Sequence, residues 1–285
     1  MFTRFIDVDG VLTRCMVAGD PKSPAVLLLH GLSLTSEVWA RNIDALGADL
    51  HVIAVDLLGH GFTRPRDGRL PGIAEKIEHL EALIDVLGLQ RVSLCGSSYG
   101  GLIAANVVLR GKKKIERLVI NGSGSAFNTE EQLSAFMERI HQNYRPTLAE
   151  SSPEMWRQRL TGTVLDPGSL PCELLAVLPL CYAHPWVVPC WDATIDIMRT
   201  PEKFRPFRIL DRLEQLDLPT LVVWGRDDKG GIYESAVAAT ARMPRAQLVA
   251  FDNCAHLPMV EHPGQYNALV RDFLLAEPGA ESRKT

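Results

Sequence analysis

Val92-Ser93-Leu94-Cys95-Gly96-Ser97-Ser98-Tyr99-Gly100-Gly101 is the stretch that decides the fold. A short, largely apolar run of β type enters a turn, and a helical pattern begins at Tyr99. Ser98 stands at the tip. Gly96 and Gly100, two residues before and two after it, leave room for a sharp strand-to-helix turn that pushes the serine out of the backbone. A serine held this way is a candidate nucleophile for covalent acyl transfer.

Runs of the same kind lie on both sides. Ala25-Val26-Leu27-Leu28-Leu29 ends in His30-Gly31, and Val52-Ile53-Ala54-Val55 ends at Asp56. Leu118-Val119-Ile120 ends at Asn121-Gly122, and Leu221-Val222-Val223-Trp224 ends at Gly225. Continuous apolar runs predict strands buried on both faces, as in a parallel sheet. Helical spacing falls at residues 73–87, 99–109 and 263–275, with Gly88 as a stop signal after the first. Two further β-type segments, 2–8 and 12–18, are joined by Asp9-Gly10, a hairpin signal. Strands alternating with helices predict a doubly wound α/β sheet, with ligands beyond the carboxyl ends of its strands.

Alternation stops between residues 125 and 208, which hold Trp156, Trp186 and Trp191, many prolines, and helical stretches at 130–142 and 172–178. The expected organisation is a core over residues 1–124, a helical cap over 125–208, the rest of the core over 209–276, and a flexible polar tail over 277–285.

Composition narrows the function classes. Hydrophobic residues at 46% and charged residues at 22% fit an ordinary globular protein. A net charge of −4 leaves no electrostatic footprint for nucleic acid. Cys15, Cys95, Cys172, Cys181, Cys190 and Cys254 are scattered without a C-x-x-C pair or a zinc-type cluster, so reduced thiols and no bound metal are expected. Charges appear as early as Arg4 and Asp7, too soon for a secretory signal, and the most apolar stretch, 174–183, is short and broken by Pro179. A cytoplasmic protein is expected, acting on a small molecule and binding neither membrane nor nucleic acid. Self-association through the cap or a sheet edge is left open.

Acyl transfer by serine needs a base, an orienting acid and donors for an oxyanion. His256, in Asp252-Asn253-Cys254-Ala255-His256-Leu257-Pro258, follows the β-type run 247–251 and is the candidate base. Gly225-Arg226-Asp227-Asp228 follows the preceding strand and offers two carboxylates. His30 and His60 lie outside the base position and are expected to brace loops, Asp56 to fix a turn, Ser97 to pack inward, and Glu261 to cap or pair locally. Cys95 and Cys254 are expected to be buried and inert.

Five motifs in one order carry a resemblance. They are His30-Gly31, Asp56-Leu57-Leu58-Gly59-His60-Gly61, the turn at Ser98, Trp224-Gly225-Arg226-Asp227-Asp228, and His256-Leu257-Pro258 with Glu261 beyond. Over nearly its whole length the chain resembles the α/β-hydrolase superfamily. The resemblance implies a mostly parallel eight-stranded sheet with helices on both faces and a helical cap. It implies a Ser98, Asp228, His256 triad, with Asp228 preferred over Asp227, and no cofactor. It also implies oxyanion-hole N–H groups at Leu32 and Tyr99.

Within that superfamily Phe5-Ile6-Asp7-Val8-Asp9-Gly10-Val11-Leu12-Thr13-Arg14 and the Gly-Arg-Asp-Asp loop are similar to meta-cleavage-product hydrolases, which cut carbon–carbon bonds in vinylogous diketones. That group usually has Asn before the nucleophile, Trp after the histidine, and Arg beside a cap tryptophan; here Ser97, Leu257 and Cys190 stand there. These departures weigh against carbon–carbon cleavage, and the missing arginine points to a less acidic substrate. The expected activity is therefore hydrolysis of an ester, thioester or lactone of a small, largely apolar substrate. The alternatives are carbon–carbon bond hydrolysis and a slow-turnover ligand receptor. Lys229-Gly230-Gly231 after Asp228 is expected to loosen the acid loop.

Overall fold

The computed structural model describes residues 1–66, 68–148 and 151–277. The expected tail, from residue 278 onward, lies outside the described residues. The strands are β1 (Phe2–Val8), β2 (Val11–Ala18), β3 (Ala25–Leu29), β4 (His51–Val55), β5 (Val92–Ser97), β6 (Ile115–Asn121), β7 (Thr220–Gly225) and β8 (Ala246–Phe251). They form one eight-stranded sheet in the order β1-β2-β4-β3-β5-β6-β7-β8. The β1–β2 and β2–β4 pairs are antiparallel, and every other pair is parallel. The hairpin signal is realised by Asp9 and Gly10, both at positive φ (51° and 80°), with Asp7 Oδ1 accepting the Gly10 N–H at 2.7 Å.

Burial follows strand position. Every residue of β4, β5 and β7 is buried, whereas β1 at the sheet edge is exposed over its first four residues. That explains the unbroken apolar runs of the central strands, since no face is left for polar side chains. The core helices are α1 (Ile73–Val86) and α2 (Tyr99–Arg110), with α7 (Tyr233–Arg242) and α8 (Pro263–Leu275) in the second half of the chain.

Strand order reverses at β3. The chain passes from β3 to β4 on one side and later returns to lay β5 on the other, with Leu29 paired to Gly96. The loop after β3 and the turn after β5 therefore emerge side by side, where α/β sheets bind their ligands.

Between β6 and β7 the described residues form no strand. They contain α3 (Glu130–Tyr144), α4 (Pro153–Leu160), α5 (Cys172–Tyr182) and α6 (Val187–Arg199). Local signals set the starts. Thr129 and Gln132 form a reciprocal capping box at α3, and Ser152 accepts the Met155 N–H at 3.2 Å with Pro153 at the first helical position of α4. Both α3 and α5 run longer than their sequence pattern suggested, α5 continuing past Pro179 to Tyr182. No single helix among the described residues is long and apolar enough to cross a membrane.

These helices are fastened to the core by buried polar contacts. Lys76 on α1 is buried and donates from Nζ to the Pro71 carbonyl at 2.6 Å and to Thr194 Oγ1 on α6 at 3.0 Å. Burial pushes its ammonium down to about 8.

Candidate active site

Ser98 occupies the turn between β5 and α2 with φ 51° and ψ −116°, a backbone region that side chains rarely adopt. The two flanking glycines make this possible. A Cβ at Gly96 would lie 2.3 Å from the Gly100 carbonyl oxygen, and one at Gly100 would lie 2.4 Å from that of Leu29. The turn is then pinned. The Ser98 N–H donates to the Asn121 carbonyl at 2.8 Å, and Ser123 and Ser125 hydroxyls donate to the Ser98 carbonyl at 2.5 and 3.2 Å. Ser97, beside it, is fully buried.

His256 lies on the loop after β8, and its Nδ1–H donates to Asp228 Oδ2 at 2.8 Å. Asp228 is almost fully buried and its other oxygen accepts the N–H groups of Gly230 and Gly231 at 2.7 and 3.1 Å. The glycines after Asp228 thus do the reverse of what was expected. They wrap the loop tightly round the carboxylate and present two amides to it, leaving Oδ2 for the imidazole. Asp227 turns the other way and accepts the Cys254 N–H at 3.3 Å. Burial of His256 opposes its charged form, but the Asp228 carboxylate and hydrogen bond, with the charge of Glu261, outweigh this and raise the imidazole above its ordinary value.

Ser98, His256, Leu32 and Tyr99 all line one cavity of about 480 Å³. Tyr99 is the first residue of α2, so its amide has no partner within the helix. Leu32 belongs to the loop after β3, which a buried network holds. Asp56 Oδ1 accepts the Ser36 N–H and hydroxyl at 2.9 and 2.7 Å, while Oδ2 accepts from Phe62 N–H at 3.1 Å and Arg14 Nη1 at 3.2 Å. Arg14 also forks onto Glu37 at 2.5 Å. Asp56 therefore joins two loops and β2, a wider role than fixing one turn. His30 braces the same region. Its Nε2 accepts the Leu57 N–H at 3.1 Å, so Nδ1 carries the proton and donates to the Gly31 carbonyl at 2.7 Å. Burial holds its imidazole below the ordinary value.

The helical segment supplies the cavity's other walls. Phe136, Met137, Ile140 and Met198 are apolar, as are Leu34 and Leu257 from the core. Arg139 on α3, Arg159 on α4 and Lys229 on the acid loop add positive charge, and no Asp or Glu lies among the described lining residues. The Arg159 guanidinium rests over the Trp156 ring, 4.8 Å from its centroid. None of these cations was singled out from sequence, because each sits in a helical pattern or loop that reads as solvated surface. Ser97 and Cys190 are fully buried and do not line the cavity, whereas Leu257 does. Thiols at Cys95 and Cys254 are buried, and burial pushes Cys95 up to about 11.

The helical segment also grips both loops of the site. Trp191 Nε1–H donates to Ser33 Oγ at 2.9 Å and the Tyr182 hydroxyl donates to the Ser33 carbonyl at 3.4 Å. On the opposite side the His256 N–H donates to the Thr163 carbonyl at 3.0 Å.

Comparison with known proteins agrees with the topology. The model of the Alpha/beta hydrolase family matches residues 26–269, and the chain belongs to that family. It is 28% identical over 258 residues to the 2-hydroxy-6-oxononadienedioate/2-hydroxy-6-oxononatrienedioate hydrolase 2 of Pseudomonas putida, covering 87% of each chain. It is 30% identical over 256 residues to a 2-hydroxymuconate semialdehyde hydrolase of Pseudomonas putida, covering 87% of this chain and 86% of that one. Among solved structures it is similar to a meta-cleavage product hydrolase from Pseudomonas fluorescens IP01, with a TM-score of 0.76, 25% identity, and coverage of 95% and 96% of the two chains.

Proposed function

We propose that the protein is a serine hydrolase that breaks a carbon–carbon bond beside a ketone in a small vinylogous diketone bearing a carboxylate. The observation that carries this reading is the charge of the cavity, which Arg139, Arg159 and Lys229 line and to which no Asp or Glu among the described lining residues contributes. Cys190 standing where an arginine is usual predicts a less acidic substrate from sequence. The cations come instead from α3, α4 and the acid loop. The relatives named above, hydrolases of 2-hydroxy-6-oxo dienoic acids and a muconate semialdehyde, support carbon–carbon cleavage over the ester-type cleavage expected first.

Ser98 Oγ attacks the ketone carbon and its proton passes to His256 Nε2, the ring nitrogen that Asp228 leaves free. Asp228 fixes the tautomer and stabilises the imidazolium. The amides of Leu32 and Tyr99 receive the oxyanion, each worth about 3 kcal/mol. Collapse of the tetrahedral species breaks the carbon–carbon bond. The electron pair spreads into the conjugated oxo acid as a dienolate, and the imidazolium returns its proton to that fragment. Water, deprotonated by His256, then attacks the acyl ester on Ser98 and restores the enzyme. The net reaction consumes one water and yields two fragments.

Ester hydrolysis is the second reading, favoured by one observation: Leu257 puts an apolar side chain on the cavity where the carbon–carbon group usually has tryptophan. Steady-state rates on a carboxylate-bearing vinylogous diketone, its methyl ester and a short activated ester separate the readings. Multiple turnover of the diketone with the highest kcat/KM is expected. Turnover of the esters alone would overturn carbon–carbon cleavage, a single slow turnover would point to a receptor, and equal rates for Ser98→Ala would remove the nucleophile.

A further inference from the structure

The loop that carries His256 is irregular, and its three successive amides are each taken by a different part of the molecule. The Cys254 N–H goes to Asp227 Oδ2 on the acid loop at 3.3 Å. The Ala255 N–H goes to Glu261 Oε1 at 2.8 Å, and the His256 N–H goes to the Thr163 carbonyl at 3.0 Å. Glu261 closes the circuit. Its second oxygen, Oε2, accepts the N–H of Leu165, two residues beyond Thr163, at 2.6 Å.

We infer that Glu261 is a positioning residue that ties the His256 loop to residues 163–165 of the helical segment, so that the seating of that segment sets the placement of the base. The inference rests on His256 being the base of the proposed mechanism. Glu261 suits the task because it stands on a stiff single turn, Pro258–Glu261, whose N–H returns to the Leu257 carbonyl at 3.0 Å. Its carboxylate holds backbone donors from both sides at once, which a neutral amide cannot do. Its charge also acts on the imidazole, together with Asp228 on the acid loop, while Lys229 and Arg159 line the cavity from the acid loop and α4. The local pairing expected for Glu261 is present in its bond to Ala255, and the reach to Leu165 extends it across the cavity wall.

Two variants separate tether from charge. Glu261→Gln keeps the shape but can accept from only one of the two amides and carries no charge. Leu165→Pro removes the amide on the far side and leaves Glu261 intact. Val164 is already extended (φ −136°, ψ 155°), as a residue before proline must be, and the Leu165 side chain is exposed.

The readout is the rate at which a fluorophosphonate labels Ser98 as a function of pH, with thermal melting to confirm folding. This rate depends on the base and not on the identity of the natural substrate. For Glu261→Gln the plateau rate is expected to fall about tenfold, the scale of one lost charge-assisted hydrogen bond, and the midpoint to move to lower pH. For Leu165→Pro the plateau is expected to fall while the midpoint stays. Folded variants with wild-type plateau and midpoint would overturn the inference, as would a Glu261→Gln plateau that falls with its midpoint unmoved. His256→Ala labelled as fast as wild type would remove the base itself, a failure of the mechanism that is distinguishable from failure of the tether.

Discussion

Trp191 Nε1 on α6 and Ser33 Oγ on the loop after β3 are 2.9 Å apart, with the indole donating. Ser33 follows the residue whose amide is proposed to receive the oxyanion, so this bond lets the helical segment hold that amide in place. Trp191→Phe keeps an aromatic ring but deletes the donor and leaves a gap where part of the buried indole stood, adding to the stability loss. A fall in kcat of about threefold to tenfold with KM little changed is expected, along with about 1 kcal/mol of lost stability in thermal or denaturant unfolding. Unchanged kcat would mean that the Arg14–Glu37–Asp56 network and the Tyr182 bond suffice to hold the loop.

Gly231 tests the clasp around Asp228. A Cβ there would lie 2.5 Å from Cζ2 of the buried Trp224 ring, which cannot swing aside. Gly231→Ala is expected to lower stability by about 1–3 kcal/mol and to lower kcat at least tenfold by displacing an amide from Asp228. Gly264→Ala, which meets nothing within 4 Å, is the control and should keep full activity.

Arg159→Gln tests the carboxylate. Its KM for the carboxylate-bearing diketone is expected to rise about tenfold or more, and its KM for the neutral methyl ester to change little. An equal rise for both substrates would assign Arg159 to packing on Trp156 instead of to charge recognition.

Activity and stability are both expected to fall on the acid side, for different reasons. His256 must be neutral to take the Ser98 proton, and its imidazole is raised, so kcat/KM should fall on the acid side with a midpoint above the ordinary value of about 6.5. Asp228→Asn should move that midpoint down and cut the plateau by about 10⁴. Stability follows other histidines. Burial lowers His30 and His60, and it lowers His79 to about 4. Between about pH 6.5 and 4 the unfolded chain binds protons that these folded sites refuse, so stability should decline as pH falls through that window. His256 opposes this: its raised value contributes stability below the unfolded value that is lost as pH rises through the folded one. Urea midpoints across pH 4–8 measure the balance.

Much of the sheet was legible because its central strands are buried on both faces and so carry unbroken apolar runs. The turn at Ser98 was legible because sterics demand Gly96 and Gly100. That the His256 loop and the Gly225–Asp228 loop follow successive strands was legible in the pattern, whereas the choice of Asp228 over Asp227 came from the family resemblance. What pattern could not show was anything fixed by tertiary packing. Lys229-Gly230-Gly231 reads as a slack loop until the position of Asp228 is known, and Arg159 reads as a surface arginine until α4 is laid over the cavity. Arg14 shows the same limit, being a charge in an antiparallel strand whose partners, Glu37 and Asp56, lie far away in sequence.

Thr163, Leu165, Tyr182 and Trp191 all come from the segment between β6 and β7, and all bond to the loops that hold the reacting groups. That segment is therefore not an interchangeable module. A version transplanted from a relative to change the cavity's shape keeps these loops in place only if it also brings an acceptor for the His256 amide and a donor to Ser33. Altering substrate choice by exchange requires carrying these four anchor points across with it, whereas altering it from within, at Arg159, Phe136 or Met198, leaves the anchors undisturbed.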